Sequence, residues 1–381
     1  MTDAPLQSPL YERFVQTDAL MIPYGSGGQA VEVVGAFEEV GLEYAAIRKG
    51  CVLFDQPHTG TLVATGVDRL AFLNNMVTQK VIDLEPGVSR RSFWLNRKGR
   101  VEADLRLSEF GDRTLISLDR HIAAQTASAL GNYLFSEDAA IEDRSHEFHR
   151  ISLHGVTALP TLAQSTGNDA AATLQPGRCL ACEIAGHPVI AEREDLTGEP
   201  GVELCVAREA ALAVYDAILD TGRVKPCGWF AINTARIEAG QAMFNVDFGP
   251  QNLPAETGVI ESRVDFRKGC YLGQEVVARM DARKTRKQVL VAIRVKGPDG
   301  SQEAPLPTAG DRLFAPGDEG GNPIGTVTSS TVSPMLSAAS IAFAMIRDAN
   351  SAAGTELVVN AEGTRATAVV QESLVFWARN A

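Results

Sequence analysis

A chain of 381 residues, with 45% hydrophobic and 22% charged side chains, has the make-up of an ordinary globular protein large enough for more than one domain. No run of about 18 apolar residues occurs, which excludes a membrane-spanning helix. The start, Met-Thr-Asp-Ala-Pro, lacks the basic region and apolar core of a secretory signal, so the expected location is the cytoplasm. A formal net charge of −12 speaks against a surface that binds nucleic acid.

From the N-terminus, Tyr24-Gly-Ser-Gly-Gly28 has the glycine density of a phosphate loop but neither Gly-Lys-Ser/Thr nor the third glycine of a dinucleotide fingerprint. Phe37 to Lys49 has amphipathic spacing and stops at Gly50, which predicts a helix. Cys51 to Phe54 and Thr61 to Thr65 read as short strands. Asp68 to Met76 predicts a short helix with Leu70, Phe72 and Leu73 inward. After the turn at Leu84-Glu-Pro-Gly87, the residues from Ser89 to Leu107 nearly alternate and break at Lys98-Gly99, the pattern of a hairpin. Its second strand puts Val101, Ala103, Leu105 and Leu107 on one face, and Glu102, Asp104 and Arg106 on the other.

Thr114 to Leu118 reads as a strand followed by a helix from Arg120. His146 and His149 stand three apart and could share a helix face as metal ligands, but Arg144, Glu147 and Arg150 around them make a solvated polar stretch the simpler account. Helix plus loop is expected over Pro160 to Gly177 and a strand over His187 to Ala191. Helices follow over Ala207 to Leu219 and Trp229 to Ala239, the second closed by Gly240. The six cysteines are read as free thiols rather than a disulfide framework. Cys179 and Cys182 form a lone Cys-x-x-Cys without a second pair, so no metal is assigned to them.

The most informative stretch is Lys268-Gly-Cys-Tyr-Leu-Gly-Gln-Glu275. Two glycines suggest a shaped turn, and the good helix formers from Gln274 to Met280 suggest a helix after it. Cys270 would then lie just before a helix N-terminus, with Arg267 and Lys268 beside it, a setting that favours thiolate. A buried, inert cysteine is the plain alternative. Between Arg263 and Lys287, eight cations face three acids on an otherwise acidic chain: either a solvated basic face or a patch for an anionic ligand tail or partner. Beyond Lys287 the character changes to short β-like runs: Gln288 to Val295, Arg312 to Phe314, Ile324 to Thr328, Ile341 to Ile346, Leu357 to Val359 and Ala366 to Val370. Gly, Pro, Asn and Asp separate them, which predicts a small β-barrel or sandwich.

The octapeptide at Cys270 resembles the signature of the YgfZ-type folate-binding proteins, a branch of the superfamily of the glycine-cleavage T-protein (aminomethyltransferase). Weaker segments resemble it in the same order. Leu95 to Asp104 matches a leucine-asparagine, glycine-turn, double-aspartate pattern, with Asp104 kept and Ala103 in place of the first aspartate. Thr197-Gly-Glu-Pro-Gly-Val-Glu-Leu204 matches a turn-to-strand segment, and Lys225-Pro-Cys-Gly228 with Arg236-Ile-Glu-Ala-Gly240 matches another, with Ile232 in place of an arginine. Asn252 to Glu256, Gly325 to Pro334 and Ser340 to Arg347 complete the likeness.

The resemblance implies an α+β fold: a folate-binding body with ferredoxin-like mixed sheets around a central channel over residues 1–286, and a C-terminal β-barrel over residues 287–381. It implies tetrahydrofolate as cofactor, with Glu203 gripping the pterin edge through two parallel hydrogen bonds. Arg236, Lys268, Tyr271 and Gln274 are the accompanying folate contacts, Cys270 is the functional thiol, and Asp104 is a catalytic candidate with a purely structural role as its alternative. Alanine cannot steer a proton, so Ala103 counts against glycine-cleavage chemistry. The resulting expectation is a tetrahydrofolate-binding protein that supports iron–sulfur cluster assembly or repair, with client or assembly proteins as partners and the basic run drawing in a polyglutamate tail. The alternative is a tetrahydrofolate-dependent aminomethyl- or methyltransferase, and a scaffold that has lost its ligand is the third reading.

Overall fold

The computed structural model describes residues 6–25, 30–283, 286–297, 304–318 and 320–379. Residues 26–28 of the glycine-rich stretch, Lys284 of the basic run and the first five residues lie outside the described set. The chain folds into two compact units, residues 1–94 with 103–232, and residues 95–102 with 233–381.

In the first unit a six-stranded mixed sheet runs in the order Cys179–Ile184, His187–Arg193, Gly201–Ala207, Phe148–His154, Val52–Asp55, Lys225–Cys227. The last pair is parallel and the others antiparallel. One face is built by strict alternation: Val189 and Ala191, then Val202, Leu204 and Val206, then Ile151 and Leu153 all enter one core with helices Ala158–Thr166 and Ala211–Leu219. A five-stranded sheet runs in the order Ser89–Leu95, Val101–Glu109, Arg113–Asp119, Thr59–Thr65, Ala140–Asp143. The N-terminal strands Leu20–Tyr24 and Val31–Ala36 pair with each other.

Most expected elements occur where the sequence places them, and the departures have local causes. The helix expected from Phe37 begins at Val40. The buried Glu43 carboxylate accepts from the Phe37 and Glu38 backbone amides at 2.5 and 3.0 Å, which holds those residues outside the helix. Helix Arg69–Met76 buries Arg69 and leaves Leu70 only half-buried, because Arg69 is drawn in by Glu109 and by the Gly66 and Gly111 carbonyls. His149 sits in strand Phe148–His154, not on a helix face with the exposed His146. There it is buried, with Nε2 2.6 Å from Asp55 Oδ1.

In the second unit, six strands close a barrel in the order Gln288–Lys296, Ala339–Arg347, Gly325–Ser333, Arg312–Phe314, Glu356–Ala361, Thr364–Val370. Alternate residues fill it: Val289, Val291, Ile293 and Val295 from the first strand, Ala342, Ala344 and Ile346 from its neighbour. Closure removes the free edges that so short a set of strands would otherwise expose. Helices Ile260–Arg263 and Gln274–Arg283 precede the barrel in the same unit.

Candidate functional site

The Thr197–Leu204 segment delivers Glu203 to the polar face of the six-stranded sheet. Gly201 is required there: a Cβ would run into the Glu194 carbonyl and His154 Nδ1. Register then sets Glu203 directly opposite Glu192 on one side and Ser152 on the other, and Cys205 opposite Arg150. Two carboxylates facing each other across neighbouring strands repel. Arg150, fully buried, resolves this by donating from Nη1 to both, to Glu203 Oε1 at 2.7 Å and to Glu192 Oε2.

Arg106, from strand Val101–Glu109, donates to Glu203 Oε2 and to Glu194 Oε2, the latter at 2.8 Å. Arg91 completes the cluster, 2.8 Å from Glu194 and 3.5 Å from Asp104. Burial alone would push the Glu203 carboxyl upward, but Arg106 and Arg150 outweigh it and hold the group down at about 2. The result is a buried, permanently ionised acceptor. Among the described residues, Arg106 Nε and Arg150 Nη2 are buried beside it without a hydrogen-bond acceptor.

Close by in the same unit, Tyr24 donates its hydroxyl to Asp119 at 2.7 Å, and His121 Nδ1 lies 3.1 Å from the same carboxylate. His58 packs against Tyr24, Phe54 and Trp229 with ring centroids 4.9–5.9 Å away. Burial pulls its imidazole down to about 4 against the opposing pull of Asp119, Asp55 and Glu203, so it is neutral at physiological pH. Its Nδ1 has no partner among the described residues.

Sequence reasoning picked out Glu203 and Asp104 here and missed Arg106, Arg150, Glu192 and His58. The available signal was charged residues inside otherwise apolar strands, as in Leu105-Arg106-Leu107 and Arg150-Ile151. Asp104 is 8% exposed and paired to Arg91, and Ala103 lies fully buried on the strand's apolar face.

The cysteine stretch belongs to the second unit. Of its two glycines only Gly273 is left-handed, at φ +83°, and a Cβ there would lie 2.8 Å from the Asn96 carbonyl. Gly269 faces open space, so the turn rests on one glycine rather than two. Helix Gln274–Arg283 starts directly after Gly273, and Cys270 is exposed just before it. Lys268 is 8% exposed, its Nζ 5.2 Å from the Tyr271 ring centroid. Burial pulls this amine down to about 8 against Asp265, and burial pushes the Tyr271 phenol up to about 12. Gln274 is half-buried as the first residue of the helix.

Arg236, in helix Trp229–Glu238, is fully buried. Its guanidinium donates to Asp247 at 2.6 Å, to Asn233 and to the Gln241 carbonyl, leaving Nη2 without a partner among the described residues. The structure thus places Glu203 and Asp104 in one unit, and Arg236, Lys268, Cys270, Tyr271 and Gln274 in the other. Among the described residues no helix is long and apolar enough to cross a membrane.

Comparison with known proteins gives a consistent result. The family profile described as the GCVT N-terminal domain matches residues 10–268, and that of the glycine cleavage T-protein C-terminal barrel domain matches residues 288–376. An aminomethyltransferase of Synechococcus sp. (strain RCC307) is 28% identical over 371 residues, covering 96% of this chain and 97% of the relative. One of Geobacillus kaustophilus (strain HTA426) is 27% identical over 363 residues, covering 94% and 95%. The crystal structure of glycine cleavage system aminomethyltransferase T from Bartonella henselae shares the fold with a TM-score of 0.84, at 22% identity and 98% coverage of each chain. With its mixed sheets and closed barrel, the chain belongs to the glycine cleavage T-protein (GCVT) family.

Proposed function

We propose that this chain binds tetrahydrofolate on Glu203 and catalyses one-carbon transfer of the aminomethyltransferase type. The observation that carries the reading is that relatives named aminomethyltransferase match it nearly end to end. Tetrahydrofolate is the cofactor of this family, and the residues around Glu203 suit it. A carboxylate has about four lone-pair positions, and the Glu203 oxygens use two of them on Arg106 and Arg150. The other two match the adjacent amino and N–H donors of a pterin edge. The unpartnered Arg106 Nε and Arg150 Nη2 match its carbonyl. When bound, the folate supplies the amine nitrogen that takes up the one-carbon unit.

The protein's part is to hold the pterin on a fixed anion. Ala103 offers no acid at the position the T-protein pattern fills with aspartate, and Asp104 is engaged by Arg91. We therefore read the donor as an amine, ether or thioether whose transfer does not require that acid. The division into a folate-binding body, residues 1–286, and a barrel domain, residues 287–381, belongs to the same proposal. A second reading, support of iron–sulfur proteins in the YgfZ manner, is favoured by one feature, the exposed Cys270 thiol on its turn.

Calorimetric titration with tetrahydrofolate tests the first reading. The wild type is expected to bind and Glu203→Gln to bind at least ten-fold more weakly, whereas a wild type that does not bind refutes it. With binding in hand, Cys270→Ala separates the readings. Transfer that survives the substitution favours the transferase, and loss of iron–sulfur enzyme activity in cells favours the second.

A further inference from the structure

The second unit contains a cavity of about 700 Å³ below the end of helix Gln274–Arg283, within the size range of small-ligand sites. Five cations line it, Arg100, Arg279, Arg283, Arg286 and Lys287, against a single carboxylate, Glu256. That carboxylate is already in use: it is 4% exposed and accepts from Asn252 Nδ2, the Leu253 amide and Gln288 Nε2 at 3.2–3.3 Å. Of the cations, Arg286 pairs with Asp348, and Arg100 donates to the Gln251 carbonyl. Arg279, Arg283 and Lys287 have no acidic partner among the described residues.

This arrangement is unfavourable by itself. Arg279 and Arg283 are four residues apart on one helix, so their guanidinium groups share a face and repel. The negative end of the helix dipole accounts for a cation at Arg283, but not for five cations around one space. With 47 acidic residues in the chain, partners for Arg279, Arg283 and Lys287 were available to the sequence, yet among the described residues none is placed against them.

We infer that this cavity is a binding site for a multivalent oxyanion, a small molecule carrying two or more carboxylate or phosphate groups. Planar guanidinium groups bind either oxyanion bidentately, and several cations around one concave space add their fields there. Arg279, Arg283, Arg286 and Lys287 are exposed, so their donors are open to a ligand. The inference stands on these residues alone and holds whether or not Glu203 binds a folate.

Titration calorimetry on the full chain, with sodium tripolyphosphate and separately with tri-L-glutamate, tests it. At low ionic strength at least one probe is expected to bind with one-to-one stoichiometry, and to weaken strongly at about 1 M salt, where the Debye length falls to about 3 Å. Binding of tripolyphosphate alone identifies phosphate, of triglutamate alone carboxylate, and of both a site that selects charge; each supports the inference. The Arg279→Gln, Arg283→Gln double variant should bind about ten-fold more weakly. Arg365→Gln, an exposed cation of the barrel outside the cavity, should leave binding unchanged. Lys287→Gln provides a second lesion should the double variant misfold. Failure of both probes to bind, or equal weakening by the cavity variants and by Arg365→Gln, overturns the inference.

Discussion

The buried charges around Glu203 predict an asymmetry between two substitutions that a simple ion-pair picture would treat as equal. The cluster holds three arginines, Arg91, Arg106 and Arg150, and four carboxylates, Asp104, Glu192, Glu194 and Glu203. Glu203→Gln removes one of four anions and leaves the two signs equal in number. Arg150 keeps Glu192, and Arg106 keeps Glu194 at 2.8 Å and Glu192 at 3.6 Å. The loss is then that of hydrogen bonds to a charged group, about 1–3 kcal/mol.

Arg150→Met does the opposite. It leaves Glu192 and Glu203, directly opposed in register, without the fully buried cation between them. Breaking a buried pair from one side costs about 3–5 kcal/mol, a fall of roughly 1.5–2.5 M in urea midpoint for a slope of about 2 kcal/mol per molar. Urea unfolding at neutral pH, followed by far-ultraviolet circular dichroism, measures both variants. If Glu203→Gln lowers the midpoint as much as Arg150→Met, the carboxylate excess is not what governs this cluster and the reasoning fails.

Other consequences follow from the same geometry. His58 and His154 titrate at about 4 in the fold against 6.5 unfolded, because burial disfavours their charged forms, so the stability they support is complete above pH 6.5 and is lost as pH falls towards 4. Glu203, held at about 2 against 4.5, extends the loss from pH 4.5 downward; a urea midpoint that does not fall between pH 6.5 and 4 would contradict the assignment. Gly273→Ala should lower the thermal midpoint by an amount equivalent to about 1–3 kcal/mol, through its φ of +83° and the nearby Asn96 carbonyl, while Gly269→Ala is expected to be nearly neutral. A disulfide reagent should find one fast thiol in the native protein, Cys270. Cys182 should follow slowly and Cys51, Cys179, Cys205 and Cys227 only on unfolding, since burial pushes all five of these thiols up. A fast phase that persists in Cys270→Ser would refute this.

Where one face of a strand meets the core and the pattern has period two, the fold was legible. All six barrel strands could be placed because Gly, Pro, Asn and Asp separate their short apolar runs. The start of helix Val40–Lys49 was not, since it is set by Glu43 reaching back to amides that precede the helix. Nor was the strand identity of His149, whose bond to Asp55 lies 94 residues away in sequence. Long-range partners of this kind leave no local trace.

The candidate site shows the same limit in a sharper form. Strand Val101–Glu109 has a clean alternation, and alternation normally means that its polar residues face water. Here both faces are covered: Val101, Ala103, Leu105 and Leu107 are fully buried, and Asp104 and Arg106 are 8% and 2% exposed. A polar face can be covered only if it meets another of complementary charge, and the six-stranded sheet supplies Glu192 and Glu203, with Glu194 just past the end of strand His187–Arg193. Glu203 could be picked out from a short motif. Its state could not, because the two arginines that keep it ionised come from strands about 50 and 100 residues earlier and each by itself looks like a surface residue. The surplus of one carboxylate in that cluster, together with the buried Arg106 Nε and Arg150 Nη2 that have no acceptor among the described residues, is the physical reason to place the proposed ligand against Glu203.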